Sequence, residues 1–395
     1  MSSIRISALI ISRLLKKSIC FVLGPSEILT YLLSTLRSPR SLRPRIWSFL
    51  SSLNRQRILY YTGRVLLLVW LLAPLPTYGD EAPGYVVSEN RALMGTEVII
   101  KVFGDNRPEM EQAVQEAFEE ISRLERMMSN FIPTSELSRI NQQAGKAPVP
   151  VSRELFSVIQ KSLMFSDITE GTFDISFASV GKLWDFRAGI LPTPEAIAKQ
   201  LPYVDYRKIR LNEKDSSVFL PYAEMEIGLG GIGKGYAVDR AMEVLTKHGI
   251  HDAIIMAGGD MMVKGRKGKD LWRVGLRDPD DKNKILAVLP LEDQAVSTSG
   301  DYERFFIKDG VRYHHIIDTR TGYPAKLCRS VTLLAKDATT TDGLTKGVFI
   351  MGPERGMALV ERIAGVEAII IDAQGKIHLS SGLTSLKMEE AKGGK

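Results

Sequence analysis

Residues Gly228-Leu229-Gly230-Gly231-Ile232-Gly233-Lys234-Gly235-Tyr236-Ala237-Val238-Asp239 decide how the rest of this chain is read. They lie between a β-type run, Val218 to Ile227, and a helical run, Tyr236 to His248, so the glycines are expected where a strand gives way to a helix N-terminus. Bare amides and the positive end of the helix dipole make such a junction a phosphate cradle, and Lys234 adds a full charge. The alternative is a glycine-rich turn that merely lets a helix pack closely.

Two better-known phosphate motifs overlay the stretch and neither fits. Gly228, Gly230 and Gly233 spell G-x-G-x-x-G, but the dinucleotide fold also needs an acidic residue about 20 positions on, at a strand end. His248 to Met256 offers none there. Gly228 to Lys234 also spells G-x-x-x-x-G-K, but a P-loop continues with Ser or Thr to hold Mg²⁺, and Gly235 has no hydroxyl. Any metal must find its ligands elsewhere.

The charge is unevenly spread along the chain. The chain has 395 residues, is 44% hydrophobic and 25% charged, and carries a net charge of +6. Residues 1–64 hold eleven Lys or Arg and one acid, Glu27, which is +10, so the remainder carries −4. The basic character belongs to the N-terminus and is no argument for nucleic acid. Arg55, Arg57 and Arg64 precede the apolar run Val65 to Ala73, followed by Pro74, Pro76 and Thr77-Tyr78-Gly79. This is the pattern of an export signal cleaved near Gly79, with an apolar run too short to span a bilayer comfortably. Residues 1–79 are therefore expected to be a basic extension plus a signal or anchor segment, with 80–385 the folded domain and 386–395 a polar tail. Cys20 lacks the small-residue context of a lipid-modified cysteine. With the signal removed, Cys328 has no partner for an intramolecular disulfide.

Along the mature chain, Glu89 to Val102 reads as strands around Met94-Gly95-Thr96. Met110, Val114, Ala117, Ile121, Leu124 and Met128 keep helical spacing and predict a core-facing helix started by Pro108. Phe131 beyond it reads first as a core plug and second as a ring free to stack. Asp174, in Gly171-Thr172-Phe173-Asp174, is either a helix cap or a ligand acceptor. Asp252 to Asp260 is a buried strand ending in Gly258-Gly259-Asp260, the kind of turn that delivers a polar group at a sheet edge. If Tyr313 to Asp318 is a strand, His314 and His315 point to opposite faces and at most one serves a given site. Asp342, if it begins a helix, shares a face with Thr345, so a carboxylate and a hydroxyl converge as hard-oxygen ligands of the Mg²⁺ type. Stabilisation of Asp342 by the helix dipole is the alternative.

Taken together, these segments resemble the ApbE family of flavin transferases. The matching blocks run in order: Met94-Gly95-Thr96; Ser129-Asn130-Phe131 to Leu137; Gly171 to Asp174; Leu229 to Asp239; Gly258-Gly259-Asp260; Ser299-Gly300-Asp301; His315 to Asp318 with Thr321-Gly322; and Thr341 to Leu344. The resemblance implies an α+β fold, T-fold-like, with mixed sheets flanked by helices. It implies Mg²⁺-dependent transfer of FMN from FAD to a Thr or Ser of an acceptor flavoprotein, with release of AMP. It further implies FAD contacts from Met94, Phe131, Thr172, Phe173, Asp174, Gly228, Lys234 and Ile316. The metal would lie near the Gly231 carbonyl, Asp342 and Thr345, with His315 or a carboxylate as base. Family members usually carry Asp at the position of Gly228, and Thr as a further metal ligand where this chain has Lys346. The acceptor is expected to be a separate protein, periplasmic or membrane-bound. The rival readings are an FAD pyrophosphatase and a non-catalytic exported FAD-binding protein.

Overall fold

The computed structural model describes residues 84–281, 283–383 and the strand Glu389–Glu390. The export segment, Cys20 and most of 386–395 lie outside the described residues.

The main sheet has eight strands: β1 (Tyr85–Leu93), β2 (Thr96–Gly104), β3 (Asp252–Ala257), β4 (Asp260–Lys264), β5 (Gln294–Gly300), β6 (Cys328–Ala335), β7 (Glu367–Asp372) and β8 (Ile377–Leu379). They pair in chain order, each antiparallel to the last, so the sheet is a meander interrupted by long insertions. The expected α+β class holds, and every named strand pairing among the described residues is antiparallel. Glu389–Glu390, placed by sequence in the polar tail, pairs with Ala287 and Val288 in a separate three-stranded sheet.

Five helices matter for the site: α1 (Arg107–Met128), α2 (Glu136–Gln142), α3 (Arg153–Ile168), α4 (Gly233–Lys247) and α5 (Ala338–Val360). The six apolar residues that predicted α1 are all buried, and Asn106 caps it by accepting from the Glu109 amide. Ile121 and Leu124 have no exposed surface, and each such side chain contributes about 1.5–3 kcal/mol by leaving water. That stripe packs in one continuous core with α3, α4 and α5 against one face of the sheet.

The run Val218 to Ile227 is not one strand. Only Ser217–Phe219 pairs, with Val149–Pro150 and Arg210–Asn212. At Ile227 the side chain of Asn141 replaces a strand partner: its amide donates to the Ile227 carbonyl and its oxygen accepts from the Ile227 amide, each at 2.9 Å. A β-type composition reports extended backbone, not what pairs with it.

Candidate functional site

The glycine stretch leads through a loop into α4, which begins at Gly233 with no side-chain cap from Ile232. The missing cap comes from another helix. Asp342, in the second turn of α5, accepts the Gly235 amide at 3.0 Å through Oδ2. Asp239 of α4 returns the arrangement, accepting the Ala338 amide at 2.7 Å and the Thr339 amide at 2.8 Å at the start of α5. Each helix thus satisfies orphan amides of the other. The crossing also fixes Gly235: a Cβ there would lie 2.1 Å from the Ala338 carbonyl oxygen and 2.7 Å from the Asp342 Cβ. The absent hydroxyl that separated this stretch from a P-loop has a packing cause. Helix α5 starts at Ala338 with Asp337 as its cap, so Asp342 does not begin it.

Around Asp342 the structure assembles a buried charge cluster. Lys234 Nζ lies 3.0 Å from Asp260 Oδ2, 3.7 Å from Asp342 Oδ2 and 3.2 Å from the Gly230 carbonyl. Burial acts to lower the Lys234 pKa, but the two carboxylates hold it above its usual value. Lys346, one turn beyond Asp342 on α5, donates to Asp342 Oδ1. Burial acts to raise the Asp342 pKa, and Lys234 and Lys346 together bring it below the usual carboxylate value. Gly231 joins the cluster: a Cβ there would sit 3.0 Å from the Phe173 ring and 3.8 Å from Lys346 Cδ.

These residues test the expected metal centre. Gly231 lies beside the stem of Lys346, whose ammonium holds Asp342. Thr345 is fully buried, with its hydroxyl committed to the Thr341 carbonyl of its own helix. Both Asp342 oxygens already accept, one from Lys346 and the other from Gly235, with Lys234 beside it. A divalent cation with hard-oxygen ligands does not fit beside a lysine ammonium that holds the same carboxylate. Among the described residues no group of three or more His, Cys, Asp or Glu side chains offers another metal site.

The strand expected over Tyr313 to Asp318 ends at His314, so strand alternation does not govern His315. His314 is buried, with Nε2 at 2.8 Å from the Ala325 carbonyl and its ring edge-on to Phe349. His315 follows, tied by its amide to the Arg304 carbonyl at 3.0 Å. Its Nδ1 is buried with no hydrogen-bond partner. Burial, then Arg304, His314, Lys346 and Lys234, push its pKa down to about 3, so the imidazole is neutral. Arg304 is anchored to the Gly95 carbonyl at 2.9 Å. Ile316 is buried in the main core, bonded through its backbone to Ala325.

Met94 holds a positive φ of 52° in the β1–β2 turn, and its amide donates to Glu125 at 2.8 Å. Its methyl approaches Gly233. A groove of 560 Å³ adjoins this turn, lined by residues that include Gly95, Thr96, Glu125 and Arg187. The structure overturns the core reading of Phe131, whose ring is 90% exposed just past α1. Thr172 donates to the Thr169 and Gly347 carbonyls, joining its loop to α5. Phe173 wedges between Gly231 and Gly347. Asp174 is a cap, accepting from the Ser176 amide and hydroxyl and from the Tyr206 amide. Burial raises its pKa to about 6 despite those bonds. Gly228 is buried, and a Cβ there would meet the Ala178 Cβ at 3.2 Å, so this chain packs Ala178 where an aspartate side chain would need room.

Sequence reasoning left Asp260 and Arg304 out of the site. The Gly258-Gly259-Asp260 turn carried a signal for the first, since Gly259 lies where a Cβ would meet the Thr298 carbonyl at 2.5 Å and Asp260 starts β4 beside it. Arg304 had none, because only the fold brings it to Gly95.

Comparison with known proteins follows the same segments. The family model described as the ApbE family matches residues 94–370. The FAD:protein FMN transferase of Treponema pallidum is 34% identical over 340 residues, 81% of this chain and 94% of that protein. That of Klebsiella pneumoniae is 33% identical over 300 residues, 75% of this chain and 92% of that protein. Among solved structures, the ApbE protein of Thermotoga maritima superposes with a TM-score of 0.72 at 31% identity, covering 77% of this chain and 100% of that one. The flavin transferase ApbE of Vibrio cholerae gives 0.69 at 29% identity over the same shares.

Proposed function

The chain belongs to the ApbE family, and from that premise we propose that it is an FAD:protein FMN transferase, moving FMN from FAD to a Thr or Ser hydroxyl of an acceptor protein and releasing AMP. One observation carries the reading: Lys234 and Lys346 converge on Asp342 beside the glycine loop, and their charges, with that of Arg304, act on the ring of His315, whose buried Nδ1 has no hydrogen-bond partner. That set suits a pyrophosphate and an incoming hydroxyl.

In the reaction, the acceptor oxygen forms a bond to the flavin-side phosphorus while the bond from that phosphorus to the bridging oxygen breaks. The bridging oxygen leaves with AMP and its electron pair. The hydroxyl proton passes to His315 Nδ1, whose basicity rises once the negative pyrophosphate offsets the cations that add to burial in holding its pKa at about 3. Lys234, Lys346 and Arg304 stabilise charge on the phosphoryl oxygens. Phe131 offers an exposed ring for stacking on the flavin or the adenine. The Mg²⁺ that the resemblance implies has no step here, because Lys346 holds the carboxylate it would use.

The test is to incubate the full chain with FAD and a candidate acceptor, then measure flavin fluorescence on the denatured acceptor and AMP in solution. Labelled acceptor with equimolar AMP is the expected result. AMP with free FMN makes the protein a pyrophosphatase, and bound FAD with neither product makes it a binding protein. Export is part of the proposal, supported by the basic and apolar segment before Gly79. The acceptor would then be a periplasmic or membrane-bound redox protein, and recovery of the chain solely from the cytosolic fraction of cells would refute that placement.

A further inference from the structure

We infer that Lys346 is a built-in cation, whose ammonium stands in the place of the divalent metal and lets this chain act on the FAD pyrophosphate without one. The inference rests on the transferase reading for its chemistry, but not for its geometry.

Lys346 is fixed rather than free-swinging. It lies one turn from Asp342 on α5, only 21% of its side chain is exposed, and its stem passes Gly231, the residue whose carbonyl is the other expected metal ligand. The ammonium donates to Asp342 Oδ1 and sits 3.4 Å from the Asp342 carbonyl. With three N–H donors, it retains one for a phosphoryl oxygen.

Charge balance points the same way. Two nearly or fully buried carboxylates, Asp260 and Asp342, face two ammonium groups, Lys234 and Lys346. With a neutral residue at 346 the Oδ1 of Asp342 would lose its cation and be open to a metal ion. With Lys346 present an entering divalent ion meets a positive charge on the same carboxylate. Thr345 provides no alternative ligand, since its hydroxyl is spent on Thr341. The substitution keeps positive charge beside the phosphates while removing dependence on an ion from solution. Lysine acts on phosphate as a point charge, so it can serve this role without metal-like coordination.

The test compares the full chain with Lys346→Thr and with Lys346→Thr/Asp342→Asn, after circular dichroism has shown each to be folded. Mn²⁺ binding is measured by electron paramagnetic resonance without FAD. AMP release from FAD with acceptor is measured in EDTA and in Mg²⁺. The wild-type chain should show no saturable Mn²⁺ binding and equal turnover in both media. Lys346→Thr should bind Mn²⁺ about a hundredfold more tightly, as removal of a like charge at contact distance predicts. It should lose turnover in EDTA and regain it in Mg²⁺, and the double variant should lose the Mn²⁺ site. Stoichiometric, Asp342-dependent Mn²⁺ binding by the wild-type chain overturns the inference, as does loss of wild-type turnover in EDTA. A folded Lys346→Thr that gains no Mn²⁺ affinity also overturns it. If no variant cleaves FAD in any medium, the transferase reading fails while the Mn²⁺ titration still decides the role of Lys346.

Discussion

Gly235 shows how one residue can be read correctly as an absence and wrongly as to cause. From sequence its missing hydroxyl meant only that no P-loop metal ligand was present. In the fold, the α4–α5 crossing leaves no space for a Cβ. Gly235→Ala should therefore destabilise the protein by about 3 kcal/mol, the upper part of the range for overpacking, since the obstacle is backbone. Gly230→Ala is the control: nothing lies within 4 Å of its added Cβ, and it should stay within about 0.5 kcal/mol. Urea unfolding of the pair decides, and equal losses would remove the packing explanation. His315 gives a second residue-scale expectation. Its folded pKa of about 3 lies below the 6.5 of an unperturbed histidine, so in that window the unfolded chain binds the extra proton and stability falls as pH falls. Asp174, raised to about 6 from 3.8, works in the opposite sense, losing stability as pH rises through its folded value. Comparing wild type with His315→Gln isolates the histidine: the variant should lose less stability between pH 6.5 and 4, and parallel pH profiles would mean that His315 titrates normally.

At the scale of elements, the amphipathic helices were the most legible part, because a stripe such as Met110 to Met128 records its buried face in spacing alone. The two helices that build the site were harder. Helix α4 has a short Gly-rich start, and α5 hides its first turn behind a cap, Asp337, that the sequence reading passed over in favour of Asp342. The actual device is reciprocal capping, which no local pattern announces because Asp239 and Asp342 are 103 positions apart by their numbering. Helix α5 also breaks its geometry at Gly352, where φ is 83° and ψ 178°, just ahead of Pro353. Asp239→Ala leaves two amides and the Thr339 hydroxyl without their acceptor, and should cost about 2 kcal/mol, the upper end for losing a helix cap. Asp239→Asn keeps one oxygen and should recover part of that. Thermal unfolding of both variants checks the order, and an Asp239→Ala protein as stable as wild type would show that water replaces the cap.

Over the whole molecule, a meander sheet is simple in strand order, yet its insertions carry the functional residues. The glycine stretch and α4 fall in the insertion between β2 and β3, Asp260 starts β4, Arg304 and His315 follow β5, and Asp342 and Lys346 lie between β6 and β7. Short motifs identified these segments one by one, and their order along the chain carried the family resemblance. What sequence did not reveal was which partners they would find: Lys346 on Asp342, Arg304 on Gly95, and Asn141 in place of a strand beside Ile227. Phe131 is the clearest case in which only the assembled fold settles a residue's surroundings. Its aromatic character favoured the core, but the core closes without it and leaves the ring 90% exposed. A ring that supports no packing has to be judged by binding rather than by stability. Phe131→Ala should leave the unfolding free energy of the ligand-free protein within about 0.5 kcal/mol of wild type. Its FAD affinity should fall by about 1–3 kcal/mol, the measured range for a base stacked on an aromatic ring, which is roughly 5- to 150-fold in Kd. FAD should also raise the melting temperature less in the variant at equal concentration, since ligand stabilisation follows affinity. Flavin fluorescence titration and thermal unfolding with and without FAD measure both quantities. An unchanged Kd would remove Phe131 from the FAD site and leave it a surface aromatic with no part in binding.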